Sequence, residues 1–238
     1  LYAFFAIGVA AFIRGYSGFG FSALTVTSLV LILPPSEVVP TAYMLEVAAS
    51  IHMLPLVWRS IDWKILRWLV FGTVMGTPFG IIFLEVVPQE IMRLVISGIV
   101  LTASLLLWKN IQFRSSANWY SILAVGFFSG VINGAAAIGG LPVVLFLLSI
   151  SASSTLSRAT MVAYLFICGL YALFLPGSQQ LISTELFGRT VFFLIPLLFG
   201  IYFGHRSFVK TTPESFRKFA LSLLVLLSAA VIFRSVLI

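Results

Sequence analysis

Long apolar runs separated by short polar connections dominate the pattern of this chain. Six such runs approach the roughly 20 residues that a helix needs to cross about 30 Å of hydrocarbon, at about 38–58, 66–86, 90–108, 157–175, 188–204 and 216–236. In lipid, backbone N–H and C=O groups must find partners within the segment, which favours helices. The pattern therefore predicts an all-α polytopic membrane protein.

Two further apolar segments are longer and are interrupted by glycine. One runs from Leu1 to Leu33 and the other from Trp119 to Ile150. Each would be roughly 45–50 Å long as a single helix, which exceeds the thickness of the hydrocarbon. We predict a break in the middle of each. The pattern leaves open whether a broken segment crosses the membrane or is re-entrant.

The chain carries an internal repeat. Small residues at 72, 76 and 80 recur with the same spacing at 196, 200 and 204, and the interruption of the first broken segment aligns with that of the second. Small residues spaced by four share one helix face and let membrane helices approach closely. We predict a first transmembrane repeat at 1–110, a linker at 111–118 and a second repeat at 119–238. Each repeat consists of a glycine-broken segment and three transmembrane helices.

The basic residues favour opposite orientations of the two repeats. Connection 58–67 is rich in Lys and Arg where its counterpart 176–188 has none, and 205–218 is basic where 83–90 has none. If the broken segments return, each repeat crosses an odd number of times and the basic connections share one side, as orientation signals do. If the segments cross, the repeats are parallel and the basic connections are divided. We therefore predict an inverted-topology repeat, a recurrent architecture of secondary transporters.

Composition excludes several other classes of protein. Hydrophobic residues make up 61% of the chain, charged residues only 9%, and the mean hydropathy is +1.13, far from the values of a soluble domain. The net charge of +7 lies in short connections between spans, so we expect a lipid bilayer and no nucleic acid as partner. No nucleotide-binding glycine loop occurs. We expect no cofactor, no metal and no catalytic residues.

The first break has the features of an anion site. Arg14 lies within an apolar segment, where a guanidinium costs at least about 2.5 to 3.5 kcal/mol unless water, a counter-ion or a ligand meets it. Flexible residues follow it, and the start of a half-helix offers free N–H groups to an anion. We predict substrate binding by Arg14, Gly15, Ser17, Gly18 and Gly20. The alternative is that Arg14 pairs structurally with a carboxylate or extends to the interface.

The second break offers a matching set of residues. Asn133 aligns with Arg14 and can donate a hydrogen bond to an oxyanion, and Gly134, Gly139 and Gly140 surround it. We predict that these four residues complete the substrate site. The alternative is that the glycines only permit close packing of two half-helices.

Glu46 and His52 are candidates for coupling transport to a proton. Both lie in the first full span, and either could carry a proton or pair with Arg14. They are six residues apart and so point to different faces of a helix. Glu46 is the better candidate, because His52 is nearer the basic end of the span.

The chain resembles the sulfite exporter TauE/SafE family of membrane permeases over nearly its whole length. The features that carry the resemblance are the glycine-rich openings of both halves and a series of motifs in order: Pro40-Thr41-Ala42, Arg59 with Asp62-Trp63-Lys64, Gly76-x-x-x-Gly80, Arg158-Ala159-Thr160 and Gly200-x-x-x-Gly204. The first opening departs from the family pattern, because Phe21 and Ala23 stand where a Gly and a Pro are expected.

The resemblance implies a secondary transporter of a small anion such as sulfite, a sulfonate or another organosulfur compound. Alternating access at a midplane site between the two breaks is the implied mechanism, in the cell membrane, with a proton or ion as coupling species. A homo-oligomer is compatible with the sequence. A passive anion channel is the nearest alternative.

An enzyme is a more distant alternative. Gly15-Tyr16-Ser17-Gly18 spells the Gly-x-Ser-Gly of rhomboid-type intramembrane serine proteases, for which His52 or His205 would have to serve as the base. The second repeat has Ala136 where Ser17 would align, so the serine does not belong to the duplicated pattern. We therefore predict that the protein is not an enzyme.

Overall fold

The computed structural model describes residues 1–109, 118–150, 154–175 and 183–208, together with the single positions 225 and 229. The helices in order are α1 (Tyr2–Ser17), α2 (Phe21–Leu29), α3 (Pro35–Val57), α4 (Trp63–Val86), α5 (Gln89–Trp108), α6 (Trp119–Ala136), α7 (Gly140–Ser149), α8 (Ser154–Phe174) and α9 (Thr184–Phe208). These described segments contain no strand. The predicted span at 216–236, apart from positions 225 and 229, and all but the last residue of the predicted linker lie outside the described residues.

The prediction of an all-α membrane protein is confirmed. Five of the described helices, α4, α5, α6, α8 and α9, are long and apolar enough to cross a membrane. Four of the predicted spans coincide with α4, α5, α8 and α9. The predicted span at 38–58 coincides with α3, which has 23 residues and contains Pro40 and Pro55. α3 is not among the five most apolar helices because it carries several polar residues, of which Glu46 is buried within the protein.

Both predicted breaks are confirmed. α1 ends at Ser17, and Gly18 adopts a left-handed conformation with φ of 81° and donates its N–H to the carbonyl of Arg14. Gly20 follows with φ of 89°. In the second segment Ala137 takes the same left-handed role at the end of α6, with φ of 58°. A left-handed residue after the last turn is a common way to end a helix, and glycine adopts it without steric cost.

The two arms of each broken segment fold back on each other. The hydroxyl of Tyr2, at the start of α1, donates a hydrogen bond to the backbone carbonyl oxygen of Ser28, near the end of α2, over 3.3 Å. The chain therefore returns toward the end at which α1 began. In the second segment Ser129 of α6 donates to the carbonyl of Gly139, so α7 begins beside α6, about two turns before the end of that helix. We call α1–α2 the first hairpin and α6–α7 the second hairpin.

Glycine ladders join each hairpin to a helix of the other predicted repeat. A Cβ atom on Gly76 of α4 would collide with the carbonyl oxygen of Phe127, and one on Gly130 of α6 would collide with the carbonyl of Thr73. The backbones of α4 and α6 are therefore in direct contact, which small residues alone permit. A Cβ atom on Gly204 of α9 would likewise collide with the carbonyl oxygen of Phe12 of α1. The packing role predicted for these glycines is confirmed.

The centre of the molecule is formed by α3 and α8, which pack on each other between these two helix pairs. Their buried side chains belong to one continuous hydrophobic core that also includes both hairpin turns. The arrangement places the two breaks, α3 and α8 around a common interior space.

Candidate functional site

The tips of the two hairpins meet at a small cavity. Its wall is formed by Gly20, Ser22 and Ala23 of the first hairpin, Ile138, Gly140 and Leu141 of the second, Glu46 of α3 and Leu165 of α8. The cavity has room for about one water molecule. α2 begins directly after Gly20 and α7 begins at Gly140. Two helix N-termini, each with N–H groups that lack partners within the helix, therefore meet at this space.

A fully buried ion pair lies beside the cavity. The Nη2 atom of Arg14 is 2.7 Å from Oε1 of Glu46, and the two residues are 0% and 3% exposed. Nη2 also donates to the hydroxyl of Ser50 at 3.0 Å, and Nη1 donates to the carbonyl of Gly18. The guanidinium thus connects the end of α1 to α3. The pairing with Glu46, which the sequence left as an alternative, is formed.

The second oxygen of Glu46 faces the first hairpin. Oε2 accepts a hydrogen bond from the hydroxyl of Ser22 at 2.5 Å. Ser22 is the second residue of α2, so the carboxylate lies at the N-terminal end of that helix, where the helix dipole favours negative charge. Sequence reasoning missed Ser22 and Ser50. Ser50 follows Glu46 by one helical turn, which is a signal that could have identified it.

The other glycines of the first break have different surroundings. Gly20 lines the cavity, whereas a Cβ on Gly15 would collide with the backbone of α9. Arg158 of α8 covers Gly18, with its Cγ atom 2.5 Å from the place where a Cβ would lie. The Nη2 atom of Arg158 donates to the carbonyl of Gly15 at 2.8 Å and lies 3.2 Å from Nδ1 of His205. Arg158 therefore holds the first hairpin against α8 and α9.

The second break places an amide beside the hairpin turn. Asn133 is 3% exposed, and its Nδ2 atom has no hydrogen-bond partner among the described residues. The backbone carbonyl of Asn133 accepts a hydrogen bond from the hydroxyl of Tyr43, and the Asn133 side chain packs on Gly139. Gly140 lines the cavity, whereas Gly134 packs against α4. Asn133 thus offers an unused donor next to the break.

A buried set of hydroxyl groups fixes the second hairpin, and sequence reasoning did not find it. The hydroxyl of Tyr164 lies 2.7 Å from that of Ser129 and 2.8 Å from that of Thr73. Ser129 in turn donates to the carbonyl of Gly139. These bonds join α8, α4 and both arms of the second hairpin.

Two predicted candidates lie apart from this site. His52 is exposed while Glu46 is buried, so the prediction that they occupy different helix faces is confirmed. The hydroxyl of Ser17 lies 2.8 Å from the carbonyl oxygens of Ile13 and Phe19. No hydrogen bond joins Ser17 to a histidine in the described part of the chain, so the arrangement that a serine protease requires is not formed there.

The protein combines long apolar helices with two hairpins that meet tip to tip and a buried charged site between them. These features define a multi-pass membrane protein of the transport class. The chain belongs to the sulfite exporter TauE/SafE family, whose model matches residues 3–231, nearly the whole chain. The resemblance seen in the sequence is thus confirmed, and the protein is a membrane transporter. No curated protein matches the chain, and no solved structure does.

Proposed function

We propose that the protein is a secondary transporter that carries a small sulfur-containing anion, sulfite or a sulfonate, across the cell membrane. The substrate binds between the two hairpin tips, and access to it alternates between the two faces of the membrane. The observation that carries the proposal is the buried pair of Arg14 and Glu46 at the place where the N-termini of α2 and α7 meet.

The site has the chemistry that an oxyanion requires. A guanidinium presents several N–H donors in a fixed plane, and helix N-termini add backbone donors and a favourable dipole. Asn133 supplies a further buried donor that has no partner in the described segments. Membrane proteins rarely retain an ionisable group at depth without a role in transport, because burial of that group is costly.

One contact and one short connection support opposite orientations of the repeats. Nη2 of Arg189 lies 2.8 Å from Oε2 of Glu37, which places the start of α9 beside the start of α3. The connection from α3 to α4 is short, so α4 runs back from the far end of α3. α4 and α9 are therefore directed oppositely along the membrane normal.

The hairpins inherit these opposite directions from the helices on which they pack. α1 runs with α9, because Gly8 neighbours Pro196 and Gly15 neighbours Ile201. α6 runs with α4, because Gly72 neighbours the carbonyl of Leu123 and Gly80 neighbours Ala135. The hairpins would then enter from opposite faces, which is the arrangement expected of inverted repeats around a midplane site.

The size of the cavity supports a carrier over an open channel. Space for about one water molecule is too small for sulfite, so the hairpins must separate before substrate can enter. A site that opens only through such a movement is suited to alternating access.

Counterflow in proteoliposomes tests the proposal. Vesicles loaded with unlabelled sulfite should accumulate radiolabelled sulfite transiently, because a carrier exchanges substrate across the membrane. A passive channel shows no such stimulation, and uptake equal to that of protein-free vesicles would reject the proposal altogether. Thermal shifts with sulfite, sulfate, taurine and sulfoacetate would rank the substrates.

A matched pair of variants tests the site. Arg14→Met should abolish counterflow, whereas Arg93→Met should leave it intact. Arg93 also pairs with a glutamate, Glu90 at 3.0 Å, but that pair lies on the surface of α5. Equal activity of the two variants would contradict the assignment of Arg14 to the site.

A further inference from the structure

Glu46 occupies the position that an anionic substrate would take. Its carboxylate lies in the cavity wall, accepts a hydrogen bond from Ser22 at the start of α2, and contacts the guanidinium of Arg14 at 2.7 Å. The proposed function assigns these same donors to the substrate. Glu46 is therefore an anion tethered within the site, and a substrate must displace it.

Other titratable groups lie on α3, on the first hairpin and on the helices packed around them. Those in buried or half-buried positions are Arg14 and Tyr16 of α1, Glu37 and Tyr43 of α3, Arg93 of α5, Arg158, Tyr164, Cys168 and Tyr171 of α8, and Arg189 and His205 of α9. Of the residues that form the described cavity wall, only Glu46 is charged. Its charge is balanced by Arg14, so this ion pair is neutral without substrate, while the charge of Arg158, which contacts Gly15 and Gly18, is the same with and without substrate.

We propose that Glu46 takes up one proton when the substrate binds, so that one monoanion and one proton cross the membrane together. This inference rests on the proposed function. Protonation cancels the charge of the carboxylate and releases Arg14 and the N-terminal turn of α2 to the substrate. The proton stays on Glu46 during the crossing and leaves with the anion on the other side. No covalent bond forms or breaks in the substrate.

The charge of the site determines the class of substrate. When Glu46 is protonated, the charges of Arg14 and a monoanion sum to zero. The charges of Arg14 and ionised Glu46 also sum to zero when no substrate is bound. A dianion would leave one uncompensated negative charge in a low-dielectric interior, which is strongly unfavourable. The site therefore selects monoanions, such as hydrogensulfite and alkanesulfonates, over the sulfate dianion.

Proton and anion fluxes measured together test this inference. In proteoliposomes that contain a pH-sensitive dye, an inward gradient of methanesulfonate should acidify the lumen by one proton per anion. The initial rate should not change when a potassium gradient with valinomycin imposes a membrane potential, because the loaded site is neutral. Sulfate should be transported at less than a tenth of that rate. Anion uptake without acidification, or uptake that follows the potential, would overturn the inference.

Glu46→Gln separates the coupling from binding. The amide resembles the protonated carboxyl, so this variant should bind methanesulfonate with an affinity independent of pH and exchange it without moving protons. Wild-type affinity for methanesulfonate should instead fall as the pH rises, because binding requires a proton. A variant that still acidifies the lumen would refute the role of Glu46. His205→Gln should keep the coupling, and loss of coupling in that variant alone would assign the proton to His205 instead.

Ser22→Ala provides a second route if Glu46→Gln does not fold. This variant removes a hydrogen bond to the ionised carboxylate, so the pH at which uptake is half-maximal should move upward while coupling persists. An unmoved midpoint would contradict the inference. Failure of counterflow in the wild type would reject the proposed function and this inference together, whereas counterflow without proton movement would reject the inference alone.

Discussion

The guanidinium of Arg14 and the carboxylate of Glu46 lie 2.7 Å apart, both buried, and join α1 to α3 at the point where the hairpin tips meet. The pair links the first break to a helix that forms the centre of the molecule. Because each partner neutralises the other, the two residues are coupled in stability as well as in the proposed transport cycle.

A double-mutant cycle should reveal this coupling. Arg14→Met and Glu46→Leu should each lower the free energy of unfolding by about 3 to 5 kcal/mol, because each leaves the other charge buried without its partner. The double variant should recover most of the loss, since two apolar side chains replace the pair. Thermal unfolding of the detergent-solubilised protein measures the effect, and counterflow should be absent in all three variants. Additive losses of stability would show that the pair is not coupled.

The glycine ladder between α4 and α6 should tolerate no side chain. Gly76→Ala places a Cβ against the carbonyl of Phe127, so the two backbones must separate and the melting temperature should fall by several degrees. Gly98→Ala on α5 is the control, because no atom of the described residues lies within 4 Å of the added Cβ. A comparable melting temperature for both variants would argue against backbone contact at Gly76.

The two glycines of the first turn should differ in their response to alanine. Both have positive φ, so each substitution carries a backbone cost of about 1 kcal/mol. At Gly18 the Cβ also collides with Cγ of Arg158, whereas at Gly20 the nearest atom is on Ile13 at 3.6 Å. Gly18→Ala should therefore destabilise more, and Arg158→Ala should relieve part of the difference. Thermal unfolding of the single and double variants checks this, and equal losses at the two glycines would contradict it.

The hydroxyl of Tyr164 should stabilise the second hairpin. Tyr164→Phe removes bonds to Ser129 and Thr73 and should cost about 1 to 2 kcal/mol. Tyr171→Phe is the control, because in the described part of the chain its half-buried hydroxyl makes one bond, to the carbonyl of Val74 at 3.1 Å. Chemical denaturation compares the two variants. A larger loss for Tyr171→Phe would show that the buried hydroxyl set is not what holds the hairpin.

Local signals in the sequence determined much of the fold. The predicted spans at 66–86 and 90–108 coincide with α4 and α5, because the length of an apolar run reflects the thickness of the hydrocarbon. The first break falls at Gly18 and Gly20, where left-handed backbone conformations are allowed, and the second falls at Ala137, just before Gly139 and Gly140. The small-residue faces were also readable, because the spacing of four on a helix defines a face without knowledge of its partner.

The sequence was less informative about what each polar residue contacts. It identified Arg14 and Glu46 as unusual, but it could not decide between a ligand site and a structural pair. It grouped Gly15 with Gly20 as parts of one site, whereas the structure places Gly15 against α9 and Gly20 in the cavity wall. Asn133 was correctly located at the second break, and its role toward a substrate stays a prediction.

Taken alone, the sequence determined that the protein lies in a membrane, roughly where its described long helices lie, and where two of its segments break. These features depend on hydropathy and backbone conformation within a short stretch of chain. Tertiary structure decided that α6 packs on α4, that Arg14 reaches Glu46 and that Tyr164 reaches Ser129. Each of these contacts joins residues far apart in the chain, and a side chain's partner depends on how whole helices pack, which no local pattern specifies.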